Sequence, residues 1–145
     1  MNGVIAVRSL LVADTGVTAL APAVRIVAGM LPQGTDLPAI SLMSVSSVDR
    51  NIPAPGPRRR VTERVQVTVL ARTYPETKAI LVAVRKAAAD QMPAIDGLSQ
   101  VTVHTDSAGP DFLDEETGIH MQTQDFRVSF NEARSGLTFN KDPMP

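Results

Sequence analysis

Between Gly118 and residue 132, apolar and polar side chains alternate: Phe126, Val128 and Phe130 are separated by Asp125, Arg127 and Ser129. A period of two predicts a strand with one face in a core and the other in water. The same period runs through residues 61–73. There Val61, Val65, Val67, Val69 and Ala71 face one way, and Thr62, Arg64, Gln66, Thr68 and Arg72 the other. Glu63 interrupts the apolar face and is expected at its solvent end. Val24, Ile26, Ala28 and Met30 alternate over residues 24–31 and predict another strand. Pro38 opens a further one, with Ile40 and Leu42 on one side and Met43, Val45 and Ser47 on the other. The phase slips near Leu42 and Met43, which predicts a β-bulge there. Residues 98–105 form a strand with Val101 and Val103 inward.

Two segments carry the helical period instead. Val4, Val7 and Leu11 recur at helical spacing across residues 3–13, with Leu10 widening the stripe. Asp14-Thr15-Gly16 breaks that helix, and a short second turn runs to Ala21 before Pro22 stops it. Thr73-Tyr74-Pro75-Glu76 reads as a capping box. Behind it Thr77, Ile80, Leu81, Val84 and Ala88 form a buried stripe, with Met92 extending it until Pro93 and Gly97 end the helix. Pro32 to Asp36 make a turn, and residues 106–118 make another. Residues 49–60, DRNIPAPGPRRR, form the clearest irregular segment, because Pro53, Pro55 and Pro57 remove backbone donors. A connection of that length in a compact domain tends to be functional or mobile. The order is helix, three strands, helix, two strands. It predicts an α+β fold: a mainly antiparallel sheet of about five strands with two helices packed on one face. One domain covers residues 1–132, and residues 133–145 form an extended C-terminal tail without periodicity.

Bulk composition narrows the function classes. A chain of 145 residues is long enough for one domain with a real core. A net charge of -1 gives no global attraction for nucleic acid or an anionic membrane. Aromatic residues at 3%, with no Trp, leave little for base stacking. With no cysteine there is neither disulfide nor thiolate metal site. No apolar run approaches the roughly 20 residues of a membrane span. The N-terminal segment has a charge, Arg8, inside its apolar stretch and no basic leader, so no signal peptide is expected.

The chemistry is sparse. His104 and His120 fall on strands as solvated side chains, and no third soft ligand completes a metal set. No nucleophile elbow, GxGxxG or P-loop spacing occurs, so neither catalytic residues nor cofactor are expected. Asp111, Asp114, Glu115 and Glu116 concentrate oxygen ligands but lack the spacing of an EF-hand loop. They read as a solvated turn whose geometry is set by Asp114 and Thr117-Gly118. Arg58, Arg59 and Arg60 form a basic run with two readings: a solvated loop end, or bidentate contacts to carboxylates of another chain. Opposite charges on separate loops, long strand edges and no active site suit head-to-tail self-association, which closes into a ring when the rotation permits. Arg58, Arg59, Arg60, Asp114, Glu115 and Glu116 are accordingly the candidate inter-subunit or partner contacts.

LPQGTDLPAISL at 31–42, TYPETKAILVAVRKAA at 73–88 and DEETGIHMQTQDFRVSF at 114–130 resemble the tail completion family of long-tailed bacteriophages. Its members are called tail terminator or tail-to-head joining proteins. The likeness in order and spacing covers residues 1–132, while the Arg58–Arg60 loop and the tail past Ala133 depart from the family pattern. The resemblance implies a virion structural protein, not an enzyme, located in the tail or neck and assembled in the host cytoplasm. It implies a homo-oligomer, a hexameric ring that caps the tail tube, ends its polymerisation and joins the tail to the head connector. The implied partners are the tube protein and the connector or stopper protein. The resemblance further implies that DNA passes through the ring without sequence-specific binding and that no membrane is involved. The alternatives are a head-side connector or stopper protein and, in another class, a small-ligand-binding or enzymatic α+β domain.

Overall fold

A computed structural model describes residues 2–51, 53 and 56–134. Among them the chain forms α1 (Asn2–Ala13), α2 (Thr15–Thr18), β1 (Ile26–Ala28), β2 (Ala39–Arg50), β3 (Arg58–Ala71), α3 (Tyr74–Ala88), β4 (Leu98–Ala108), β5 (Phe112–Asp114) and β6 (Ile119–Ala133). The fold is α+β, with a six-stranded sheet in the order β1-β2-β3-β6-β4 and β5 beside β6. All pairings are antiparallel except β1 with β2. The expected count of about five strands and two helices thus becomes six strands and three α-helices. The additions are the three-residue β5 and the four-residue α2, both too short for a periodic signal.

The long hairpin-like ladder of β3 and β6 is the spine of the sheet, paired from Arg58–Ala133 to Ala71–His120. One face of this spine is apolar. Val61, Val65, Val67 and Val69 on β3 and Phe126, Val128 and Phe130 on β6 are buried there. Val4, Val7 and Leu11 of α1 and Ile80, Leu81 and Val84 of α3 bury themselves in the same core. The strand alternation and the two helical stripes expected from the sequence are therefore present. Gly3 lets α1 lie close: a Cβ at that position would sit 2.8 Å from the Glu63 carboxyl carbon.

Several expectations are corrected. The strand predicted over residues 24–31 shrinks to Ile26–Ala28, because Ala23–Arg25 form a 3-10 turn; Val24 and Met30 are exposed. The bulge lies between Ser44 and Ser46, past the Leu42–Met43 phase slip. The irregular segment is shorter than residues 49–60, since Asp49 pairs with Val61 and Arg50 with Arg60. Ladder formation overrides the loop composition at both ends, while Pro53 and Pro57 stay outside the strands. Arg58, Arg59 and Arg60 are strand residues. The turn expected over residues 106–118 is similarly invaded by the end of β4 and by β5. Helix α3 stops at Ala88, with Asp90 at φ 60, so Met92 lies outside it and is 73% exposed. Ala133 closes β6, and the Arg134 N–H donates to the Pro57 carbonyl. The tail expectation for residues 135–145 lies outside the described residues.

Candidate assembly surfaces

The candidate contact residues sit at opposite ends of the spine. Arg58–Arg60 open β3, and the acidic turn precedes β6 at the other end. The 14-residue β3 at about 3.3 Å per residue separates them by about 45 Å. The structure does not bring the two clusters together within one chain.

Strand geometry divides the three arginines. Successive side chains point to opposite faces, and the partners follow that rule. Arg59 lies on the helix-covered side, 3.7 Å from both Asp49 and Glu132 carboxylates. Arg58 and Arg60 lie on the bare side. Arg58 Nη1 donates to Ser99 Oγ at 2.9 Å. Arg60 Nη1 donates to the Gln100 carbonyl at 2.9 Å and to Asn131 Oδ1 at 3.3 Å. Neutral acceptors hold these two guanidiniums in place, and among the described residues neither has a carboxylate partner. That distinction is hidden as long as the run is read as a loop end and not as a strand.

The acidic turn has the geometry expected of it. Gly118 adopts φ 73 and its N–H donates to the Asp114 carbonyl at 2.7 Å. Asp114 Oδ1 accepts from the Glu116 N–H at 3.1 Å. Thr117 Oγ1 accepts from the Ile119 N–H at 3.4 Å. Glu115 and Glu116 are exposed, and Asp114 is half-buried. Among the described residues no group of three or more His, Cys, Asp or Glu is placed to hold a metal ion.

Asp111 belongs to a separate clamp. Its carboxylate accepts from Lys78 Nζ at 2.5 Å and from the Tyr74 hydroxyl at 2.9 Å. Lys78 also donates to Gln122 Oε1 at 2.6 Å. The lysine hydrogen bond, then the tyrosine one, lowers the Asp111 pKa. The Asp111 hydrogen bond, partly opposed by desolvation, raises that of Lys78. This clamp ties α3 to the β5 end of the sheet. No spacing rule linked Lys78 with Asp111, because their contact depends on tertiary packing. The histidines occupy unrelated places: His104 Nδ1 meets Asp90 Oδ1 at 2.9 Å, and His120 packs edge-on to Tyr74. Both are strand residues as expected, but each has a neighbour the alternation could not specify.

Two buried carboxylates were missed. Glu63, expected at the solvent end, is 1% exposed and accepts from the Gly3 N–H at 3.0 Å. It satisfies an amide at the N-terminus of α1, where both an orphan donor and the helix dipole favour an anion. Asp125, expected on a wet face, is 3% exposed. Its Oδ2 accepts from Arg64 Nη2 at 2.6 Å and Nε at 2.8 Å. The signal for both was a carboxylate at a position whose neighbours are strand core residues. Beside the Asp125 pair, a cavity of about 470 Å³ on the bare face is lined by Ser46, Val48, Thr62, Arg64, Asp106 and Arg127. Asp106 stands 3.6 Å from each of the two arginines. In the lining two guanidiniums, of Arg64 and Arg127, face the single Asp106 carboxylate, and Arg64 is also held by Asp125 beside the cavity.

Among curated proteins, none matches the chain at a significant level. A solved chain of the virion of a native gene transfer agent particle is similar in fold, with a TM-score of 0.72 and 17% identity. The match covers 88% of this chain and 93% of that one. The family described as tail completion protein gp17 matches residues 5–130, from Ile5 within α1 through the buried Phe130 of β6. A match that reaches every helix and every strand named above assigns the family: the chain belongs to the tail completion protein gp17 family.

Proposed function

We propose that this chain is a virion structural protein that assembles into a homo-oligomeric, hexameric ring, caps the tail tube, ends its polymerisation and joins the tail to the head connector. The family match over residues 5–130 carries the reading. The fold similarity to a chain of a gene transfer agent virion supports placement in a phage-like particle. The surfaces are consistent with it: Arg58 and Arg60, held by neutral acceptors at one end of the spine, and exposed Glu115 and Glu116 at the other supply contacts for different neighbours. Arg58 and Arg60 engage carboxylates of an adjoining protein, while Arg59 serves its own subunit through Asp49 and Glu132. DNA passes through the ring without sequence being read.

The test is tube assembly in vitro. Adding the purified chain to polymerising tube protein is expected to stop elongation and leave a ring at one tube end in electron micrographs. Tube lengths unchanged by a molar excess of the chain would sink the capping role. Arg58→Glu/Arg60→Glu is expected to abolish joining of tails to heads, with Arg59→Glu less harmful. Joining that survives the double charge reversal would return these arginines to a solvated role.

A further inference from the structure

The sheet carries exposed apolar side chains along both of its opposite edges. On the first, β1 covers β2 only from Ile40 to Leu42. Among the described residues no strand pairs with the outer side of residues 43–50, and Met43, Val45 and Val48 are exposed along it. An apolar groove of about 350 Å³, lined by Val4, Ala28, Leu42 and Met43, adjoins this edge. On the opposite edge, β4 and β5 lie end to end along β6, and Phe112 and Leu113 of β5 are exposed. An open strand edge templates further pairing, and exposed apolar patches mark contact surfaces.

Register puts the two edges level with each other. One row across the sheet reads Ser99, Asn131, Arg60, Arg50; another reads Phe112, Met121, Leu70, Ala39. The open part of β2 is therefore level with β4. Arg25, just ahead of the Ile26 that pairs with Ile40, is level with β5. Strand directions also fit. β2 is antiparallel to β3, β3 to β6, and β6 to β4 and β5. A second copy set beside the first in the same orientation consequently presents β4 antiparallel to β2.

Charge follows the same division. Arg50 stands level with the start of β4, beside which lies exposed Asp96. Arg25 stands level with β5 and the turn bearing Asp114, Glu115 and Glu116. Asp36 is the exposed carboxylate of the first edge that opposes this pattern, since Asp49 is paired with Arg59. Gln91 already occupies Val103 of β4 through main-chain hydrogen bonds of 3.2 and 2.8 Å. The edges consequently meet through side chains on either side of that bridge, not as one continuous ladder.

We infer that these edges form a single heterologous interface between copies of this chain: the edge of residues 43–50 takes the Phe112–Leu113 and acidic-turn edge of the next copy. This rests on the ring reading above and specifies which surfaces build the ring. The experiment measures mass by light scattering for the full chain and for two variants, Val45→Asp/Val48→Asp and Phe112→Asp/Leu113→Asp. All four positions are exposed, and circular dichroism checks folding. Should either double variant unfold, Val48→Lys and Leu113→Lys take their places. The wild type is expected as a ring and each variant as a monomer, a drop of about sixfold in mass for a six-membered cyclic assembly. Mixing the two variants is expected to give a dimer, because one intact edge of each kind remains. Assembly of either folded variant into rings overturns the inference and leaves the ring reading standing. So does self-pairing of the Phe112/Leu113 variant, which would mean a two-fold contact along β2. A wild type that stays monomeric alone and on tube ends overturns the ring reading and the inference with it.

Discussion

The two faces of the β3–β6 spine bury a carboxylate each and solve the problem differently. On the helix-covered face, Glu63 lies among valines and receives a main-chain N–H from the first turn of α1. On the bare face, Asp125 is covered by the Arg64 side chain, which is itself 45% exposed. The first solution is fixed by backbone and belongs to the core. The second depends on one long side chain at the surface, next to a polar cavity. The contrast teaches that burial alone does not define an interior: one face is sealed by secondary structure, the other by a lid of charge.

The sharpest way to break this comparison uses two adjacent residues of β6. Phe126 is fully buried on the covered face, and Arg127 is exposed on the bare one. Phe126→Ala is expected to cost about 3–5 kcal/mol through lost burial and the cavity left behind. Arg127→Ala is expected within about 0.5 kcal/mol of wild type. Urea unfolding of both measures the difference. Equal losses would mean that the bare face carries as much of the fold as the covered one.

Next in size are the carboxylates themselves. Glu63→Ala is expected to cost about 1–3 kcal/mol, since a buried helix-terminal amide loses its acceptor. Arg64→Ala is also expected near 1–3 kcal/mol, because Asp125 stays buried while its cation is gone. The larger figures for broken buried pairs are discounted for the exposure of Arg64. A double-mutant cycle with Asp125→Ala separates the two faces: coupling of about 0.5–3 kcal/mol is expected between Arg64 and Asp125, and none within error between Arg64 and Glu63. Coupling between Arg64 and Glu63 as strong as that with Asp125 would show that the faces are not independent.

The covered face was largely legible in the sequence, and the bare face was not. Val61 through Ala71 and Phe126 through Phe130 announce their inward side by period alone, and Thr77, Ile80, Leu81 and Val84 do so at helical spacing. These signals are local. Glu63 and Asp125 were misplaced because their burial depends on what arrives from elsewhere: Gly3, sixty residues away in sequence, and Arg64, sixty-one. The candidate contacts show the same limit. Alternation on a strand could have split Arg58 and Arg60 from Arg59, but proline content disguised the strand as a loop. The three-residue β5 and the level match of the two sheet edges exist only once the register is known.

A smaller effect tests how α3 is held on the covered face. Thr73 Oγ1 accepts from the Glu76 N–H at 3.2 Å, and Glu76 Oε1 accepts from the Arg72 N–H at 3.1 Å. The capping box is thus present with its glutamate reaching one residue further back than expected. Thr73→Ala is expected to cost about 1 kcal/mol by urea unfolding, whereas Thr73→Asp, which keeps an acceptor at the cap, is expected to retain most of the stability. If Asp is no better than Ala, the Thr73 side chain holds the helix by packing and not by capping.

The smallest effect lies at the rim where the two faces meet, in the Lys78–Asp111 clamp. Asp111 has its folded pKa lowered by Lys78 and then Tyr74. Its contribution is therefore complete above the ordinary 3.8 and is lost as pH falls through the lowered folded value. Lys78 has its folded pKa raised, chiefly by Asp111. Its contribution is complete below the ordinary 10.5 and is lost as pH rises through the raised folded value. The clamp should therefore act evenly across the neutral range and fade at both extremes. Lys78→Met is expected to lower Tm slightly near neutrality, with the gap to wild type closing toward strong acid and toward strong alkali. Salt at about 0.5 M should narrow the neutral gap as well, because exposed charges are screened. A gap that stays constant across pH and salt would assign Lys78 to packing against Tyr74, whose ring centre lies 5.0 Å from its Nζ, and would remove electrostatics from the rim of the sheet.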